Sequence, residues 1–262
     1  MCLIIEKRRH DKVPQVLIDS AWARNHDGYG IMYIYNNRVV VHKGNKRRQL
    51  MHDLSLLRDK EAYIHLRMAT HGKKDIINTH PFNCGQGVYL MHNGIVDADT
   101  SLDDNMSDTW HMVQQVFVPL LKEVSNPIST LRAPWFLELL AGYLGASNRV
   151  VLMHKHGVVV CPDNNWYTIQ NLGSCKGMRV SNTYAWDYFK LEAVYNPAPV
   201  KPAWAGRTLN MNKWVHPYKE LDNPYLTLIG GYPTRGMEGT ETANILAINK
   251  TKLLENKALV PV

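Results

Sequence analysis

The chain has 262 residues, 45% of them hydrophobic, enough to build a sizeable core in one large domain or in one domain with an appendage. No run approaches the roughly 18–20 apolar residues of a membrane span, and the short apolar start is followed rather than preceded by Lys7-Arg8-Arg9, which excludes a secretion signal and leads us to expect a cytoplasmic location. The formal charge of +7 is dispersed over Lys7-Arg8-Arg9, Lys46-Arg47-Arg48 and Lys73-Lys74, so a solvated surface explains it better than a nucleic-acid footprint.

In chain order, residues 2–5 read as a strand and 13–24 as a helix with Val13, Val16, Leu17 and Ala21 on one side. Residues 28–35 and 38–42 pair as a hairpin across Asn36-Asn37, and Leu50, Leu54 and Leu57 mark a second helix. The next strand covers 63–70: Ile64, Leu66 and Met68 alternate with Tyr63, His65 and Arg67, the period of a half-buried strand that turns Arg67 away from the core residues. Thr70-His71-Gly72 breaks that pattern as a loop. Residues 88–92 form another strand running into Asn93-Gly94. That dipeptide is most often a hairpin turn, yet it also exposes a side-chain amide and a backbone N–H, two donors suited to an oxyanion.

Ser107 is a good N-cap for a helix over about 107–124, where Asp108 complements the helix dipole and Pro119 imposes a kink or an early end. A further helix over 133–144 opens near Pro134 and stops at Gly145. A hairpin at 149–161, with Lys155-His156-Gly157 at its tip, and strands at 166–170 and 178–183 follow. From about Tyr195 the texture changes to a proline-rich linker, Asn196-Pro197-Ala198-Pro199-Val200-Lys201-Pro202, and then to aromatic residues without clear period. We therefore expect a main domain over 1–194 and a Pro- and aromatic-rich extension over 195–262 packed on the core; residues 242–254 read equally as helix or strand.

Four cysteines, Cys2, Cys84, Cys161 and Cys175, show no Cys-x-x-Cys pair and no zinc-ligand spacing, and the last three read as reduced and buried. The closest histidines, His154 and His156, fall on a hairpin tip, so neither a metal nor another cofactor is expected.

Cys2 is the most chemically pointed residue. If Met1 is removed, its thiol and the new α-amine sit on one carbon, which supplies a nucleophile and, at an unperturbed pKa of roughly 7.7–8.0, a base close to working pH. After it, in order, come Arg67 with Thr70-His71-Gly72, His80-Pro81, Asn93-Gly94 and Asp108. That order resembles the glutaminase domain of class II glutamine amidotransferases, a group of N-terminal-nucleophile hydrolases. Asn25-His26-Asp27-Gly28-Tyr29-Gly30 is similar to the Asn-x-Asp-Gly-x-Gly segment of the stand-alone members, and Ser181-Asn182 to the family's last site-facing strand.

The resemblance implies a four-layer αββα sandwich: two stacked, mainly antiparallel sheets with helices on the outer faces. It also implies roles. Cys2 attacks the side-chain amide of L-glutamine, Asn93 and Gly94 form the oxyanion hole, and Arg67 clamps the α-carboxylate. Asp108 pairs with the α-ammonium, while Thr70, His71 and His80 belong to the glutamine pocket. Ammonia then passes to a synthetase on another chain, since no Gly-x-x-x-x-Gly-Lys-Ser/Thr segment occurs here. Two positions depart from the pattern: Leu3 stands where many members carry glycine, and Met68 where sugar-phosphate synthases carry a tryptophan associated with the ammonia channel. Two alternatives stay open, a hydrolase of another γ-glutamyl amide or small peptide and a non-catalytic regulatory or binding protein of the same fold. The sequence sets no oligomeric state.

Overall fold

A computed structural model describes residues 2–169, 172, 177–187 and 191. The sequence-based division at 194/195, the extension, the 242–254 segment and Cys175 lie outside the described residues.

β1 (Leu3–Lys7), β2 (Tyr29–Tyr35), β3 (Arg38–Gly44), β4 (Ala62–Leu66), β9 (Tyr167–Thr168) and β10 (Arg179–Val180) build one sheet, and β5 (Phe82–Gly85), β6 (Val88–Asn93), β7 (Arg149–His154) and β8 (Gly157–Cys161) build the other. The first runs β3-β2-β4-β1-β10-β9 and the second β5-β6-β7-β8, with every described pair antiparallel.

Strand alternation sorts the side chains into layers. Leu3, Ile5, Ile31, Ile64 and Leu66 face outward onto α1 (Gln15–Arg24) and α2 (Arg47–Ser55), where Leu17, Ile18, Ala21 and Leu50 complete the cluster. Ile4, Met32 and Tyr63 face the other way and meet Met91, Val151 and Met153 of the second sheet. The outer face of that sheet is covered by α3 (Asp108–Met112), α4 (Val118–Lys122), α5 (Pro127–Arg132) and α6 (Pro134–Leu144). The order is thus helices, sheet, sheet, helices, the sandwich expected.

The second sheet explains the main correction to the sequence reading. All five residues of β4 are buried, Tyr63 against Met91, Val151 and Met153 of the opposite sheet and His65 against the His92 carbonyl rather than water. Alternation signals two faces; it does not say what covers the second one. β4 also stops at Leu66, earlier than read: Arg67 still exchanges backbone hydrogen bonds with Gly28 and Asp27, but Ala69 N–H turns to the Asp27 side chain and the ladder ends. Asn93-Gly94 is not a hairpin turn: β6 pairs with β5 and with β7, which arrives from 55 residues further on, and Gly94 has φ 144°.

The other local signals act as read. Asn36 and Asn37 both have positive φ, 48° and 56°, as a two-residue hairpin turn with right-handed strand twist demands. Ser107 caps α3 by accepting from Trp110 N–H at 3.3 Å. Pro119, lacking an N–H, is accommodated by a wide turn over Val113–Phe117, in which Val118 N–H bonds five residues back to Val113, so the helix widens just before the proline instead of ending. β5 and α5 were not anticipated, although Asn126-Pro127 carries the signal for α5: Asn126 accepts from Ser129 N–H at 3.2 Å and Pro127 takes the first turn.

Candidate active site

The two sheets leave an open cleft of about 320 Å³ at one end of the gap between them. Cys2 and Arg67 continue the inward-facing positions of Ile4 and of Tyr63 and His65, so strand period brings them to the same rim. Gly94 arrives from the end of β6, Asp108 from the first turn of α3, and Thr70, His71 and His80 from the loops after β4. All seven line the cleft. Asn93 does not. Its side chain is buried between the sheets, where Nδ2 donates to Ser181 Oγ at 2.8 Å and Oδ1 has no partner among the described residues.

Cys2 is held from both sides. Its carbonyl accepts from Asn182 Nδ2 at 2.8 Å, and its thiol lies 3.5 Å from the Met68 carbonyl, which accepts the S–H. Burial pushes the thiol pKa up, against the opposing pull of the Met68 backbone, the chain's amino terminus and the Arg67 charge. Unaided, the group stays a thiol and needs a base.

Arg67 is almost fully buried. Its Nη2 donates to the His71 carbonyl at 3.2 Å and its Nη1 has no partner among the described residues. Burial lowers its pKa, offset by Cys2, Asp27 and Asp108, and a guanidinium remains charged throughout. Asp27 shapes the loop beside it: its carboxylate accepts from Ala69 N–H at 2.9 Å and pairs with Lys74 at 2.9 Å. Burial raises the Asp27 pKa, but these two donors outweigh it and hold the carboxyl below its usual range.

Asp108 does more than complement a dipole. One oxygen accepts from Val96 N–H at 3.0 Å, fixing the chain just after Gly94, and the other from Thr109 N–H at 2.8 Å. Asp108 and Arg67 share the cleft without forming an ion pair with each other. Asn78 ties the rim together: Oδ1 accepts from Ser107 N–H at 2.9 Å, and Nδ2 donates to the carbonyls of Lys73 and Asn105 at 3.1 and 2.8 Å.

Behind the cleft His65, His80 and His92 form a buried stack. His92 N–H and His65 Nε2 both approach His80 Nδ1, at 3.3 and 2.9 Å, so that nitrogen is an acceptor and the His80 proton lies on Nε2. Asn148 Nδ2 is committed to the Leu144 carbonyl, so Asn148 Oδ1 accepts from His92 Nε2–H at 2.8 Å, and Thr109 donates to His92 Nδ1 at 2.8 Å. Burial is the largest cause lowering all three pKa values: His65 to about 3, His80 well below its ordinary value, and His92 downward against opposing help from Asn148 and Asp108. The stack is neutral at physiological pH. Asn148 also fills the space where a Cβ at Gly94 would sit, 1.9 Å from its Oδ1, so that position admits no side chain.

Sequence reading missed Asn78, His65, His92 and Asn148 as site-supporting residues. The signal for Asn78 was its place two residues before His80; nothing local marked the others, because His65 and His92 sit at alternating strand positions that read as solvent-facing and Asn148 precedes β7, 56 positions from its partner.

No family model matches the chain. It is similar to a glutamine–fructose-6-phosphate aminotransferase of Pyrobaculum aerophilum, 27% identical over 92 residues that make up 34% of this chain and 15% of that protein. Among solved structures it resembles the B. subtilis glutamine phosphoribosylpyrophosphate amidotransferase, 20% identical with a TM-score of 0.44, over 72% of this chain and 44% of that one. It also resembles a glutamine aminotransferase class-II domain protein from Silicibacter pomeroyi, 15% identical with a TM-score of 0.34, over 69% and 87% of the two chains. The chain thus spans 15% of the first relative's length and 44% of the second's. The similar proteins are glutamine amidotransferases and aminotransferases, the class whose motif order the sequence resembles.

Proposed function

We propose that the protein is a glutamine amidohydrolase with an N-terminal cysteine nucleophile, supplying ammonia to an acceptor activated outside these 262 residues. The observation that carries this reading is the meeting of Cys2, Arg67 and Asp108 in one small cleft, with Arg67 Nη1 free of any partner among the described residues and no ion pair between the two charges. A lone cation and a lone anion held apart beside a thiol suit a zwitterion with a carbonyl group a few bonds away, which describes a free amino acid better than a peptide. The 92-residue similarity to an enzyme named for glutamine points the same way.

With Met1 removed, the α-amine of Cys2 takes the thiol proton and the sulfur attacks the substrate's side-chain amide carbon. The oxyanion is met at the end of β6 by Gly94 N–H, which faces the cleft, and by the Asn93 amide once it is released from Ser181. Collapse of the intermediate breaks the C–N bond, the α-ammonium returns the proton to the leaving nitrogen, and ammonia departs. Water, deprotonated by the same amine, then hydrolyses the thioester to glutamate. A thiol whose pKa burial has raised gains most from such a base. Thr70, His71 and the His80 Nε2–H complete the pocket.

The test is ammonia release from L-glutamine by the purified full chain. Turnover is expected in the wild type and background rate in Cys2→Ala, with most activity lost in Cys2→Ser because an alcohol is far less ionised. Wild-type turnover undiminished in Cys2→Ala rejects the mechanism. Preferential cleavage of γ-glutamyl amides other than glutamine rejects the substrate.

A further inference from the structure

The Gly94 N–H is a backbone donor left open on the cleft. His92 turns its own N–H to His80 Nδ1 at 3.3 Å, away from β7. Strand alternation then turns Asn93 toward β7, where it pairs with Arg149, and turns the Gly94 N–H back to the His80 side. That N–H has no hydrogen-bond partner among the described residues, and Gly94 and His80 both line the cleft.

A glycine aims its N–H poorly by itself. With φ 144° and no side chain, its peptide turns unless neighbours prevent it. Two neighbours do. Asp108 accepts from Val96 N–H at 3.0 Å and so fixes the chain two residues on. Asn148 stands opposite Gly94, one step beyond the Asn93–Arg149 pair, and puts its carboxamide where the missing side chain would be: a Cβ on Gly94 would meet Asn148 Oδ1 at 1.9 Å and Cγ at 2.6 Å. The carboxamide is itself locked, because its two ends have different partners. Nδ2 donates to the Leu144 carbonyl and Oδ1 accepts from His92 Nε2–H at 2.8 Å, while Thr109 Oγ–H donates to His92 Nδ1 at 2.8 Å and holds that tautomer.

We propose that Asn148 is the positioning residue of the oxyanion site: braced by His92 and Thr109, its carboxamide backs Gly94 and keeps the Gly94 N–H aimed at the charge that develops on the substrate. This role rests on the glutaminase reading and adds to it a support that starts at Thr109, beside Asp108, and ends at the oxyanion donor. Removing the Asn148 side chain opens a void behind Gly94 and lets the peptide turn, while the grip of Arg67 and Asp108 on the charged ends of the substrate belongs to other elements. The loss therefore falls on the chemical step and not on binding.

Asn148→Ala and Thr109→Val, singly and together, are compared with wild type for kcat and KM in glutamine hydrolysis and for affinity toward L-norvaline, which keeps both charged ends and lacks the amide. Expected for Asn148→Ala are an about 10- to 100-fold fall in kcat with KM and L-norvaline affinity within about threefold, and less than about threefold further loss when Thr109→Val is added. A kcat within about twofold of wild type, or a loss of L-norvaline affinity as large as the loss in kcat, overturns the proposal. Nitrogen-15 relaxation at Gly94 in the labelled full chain decides independently of turnover. An order parameter of about 0.85 in wild type that drops below about 0.6 in Asn148→Ala supports the brace, and an unchanged value overturns it even where the wild type hydrolyses no glutamine. Should Asn148→Ala not fold, Thr109→Val takes its place in both measurements, with the same outcomes deciding.

Discussion

Arg67 illustrates how little of a residue's function lies in its own contacts. Its one side-chain hydrogen bond among the described residues, to the His71 carbonyl, orients the guanidinium and leaves Nη1 buried and without a partner among them, in the cleft that Asp108 also lines. In the role proposed for it, a guanidinium fork that grips the substrate carboxylate equally in ground and transition states, its loss belongs in KM. Arg67→Ala is expected to raise KM for glutamine by about 10- to 100-fold with kcat much less changed, corresponding to the about 1.5–3 kcal/mol of hydrogen bonds to a charged group. Steady-state kinetics checks this, and an effect confined to kcat contradicts the clamp. At this scale the sequence was informative where chemistry is concentrated in rare residue types at strand ends: Cys2, Arg67, His80 and Asp108 all reach the cleft. It was silent on Asn93's partner and on Asn148, because those contacts join residues 88 and 56 positions apart and leave no local trace.

The elements position these residues through close approaches that tolerate little. Gly30 on β2 passes so near the 80–81 peptide that a Cβ there would lie 1.7 Å from the His80 carbonyl oxygen. Gly30→Ala is therefore expected to destabilise the protein by about 1–3 kcal/mol or more through forced displacement of the His80 loop, seen as a lower denaturation midpoint; an unchanged midpoint would show that the two segments are not packed as described. Turns and caps were legible because each is a local chemical solution: positive φ at Asn36-Asn37, a hydroxyl at Ser107, a missing N–H at Pro119. β5 was not, since its four residues carry a bulge and a glycine in place of a clean alternation. The hairpin reading of Asn93-Gly94 lost to tertiary context, β7 returning from far along the chain to fill the place of a nearest neighbour.

At the scale of the molecule, the site exists because two sheets are stacked with their polar strand ends at one edge. That layering also buries three histidines as neutral rings, which couples stability to pH. Their folded pKa values lie below the unfolded value of about 6.5, His65 at about 3, so as pH falls below about 6.5 the unfolded chain takes up protons that the folded chain refuses. Stability is expected to be fully present above about pH 6.5 and to fall by about 1 kcal/mol or more per pH unit below it, measured as urea midpoints at pH 7.5, 6 and 5; a flat profile would mean the stack is solvated. Alternation predicted the sheets themselves, while their stacking came only through the family resemblance, because a strand buried on both faces by polar residues has no compositional signature.

The central claim is that Cys2 becomes the first residue and that its thiol attacks glutamine. Intact-mass and peptide mass spectrometry of the full chain, before and after treatment with a diazo-ketone analogue of glutamine, measures both parts at once. The expected result is a chain lacking Met1 that gains one adduct, on Cys2, blocked by excess L-glutamine. A chain that keeps Met1 while releasing ammonia, or an adduct on Cys84 or Cys161 instead, would contradict it.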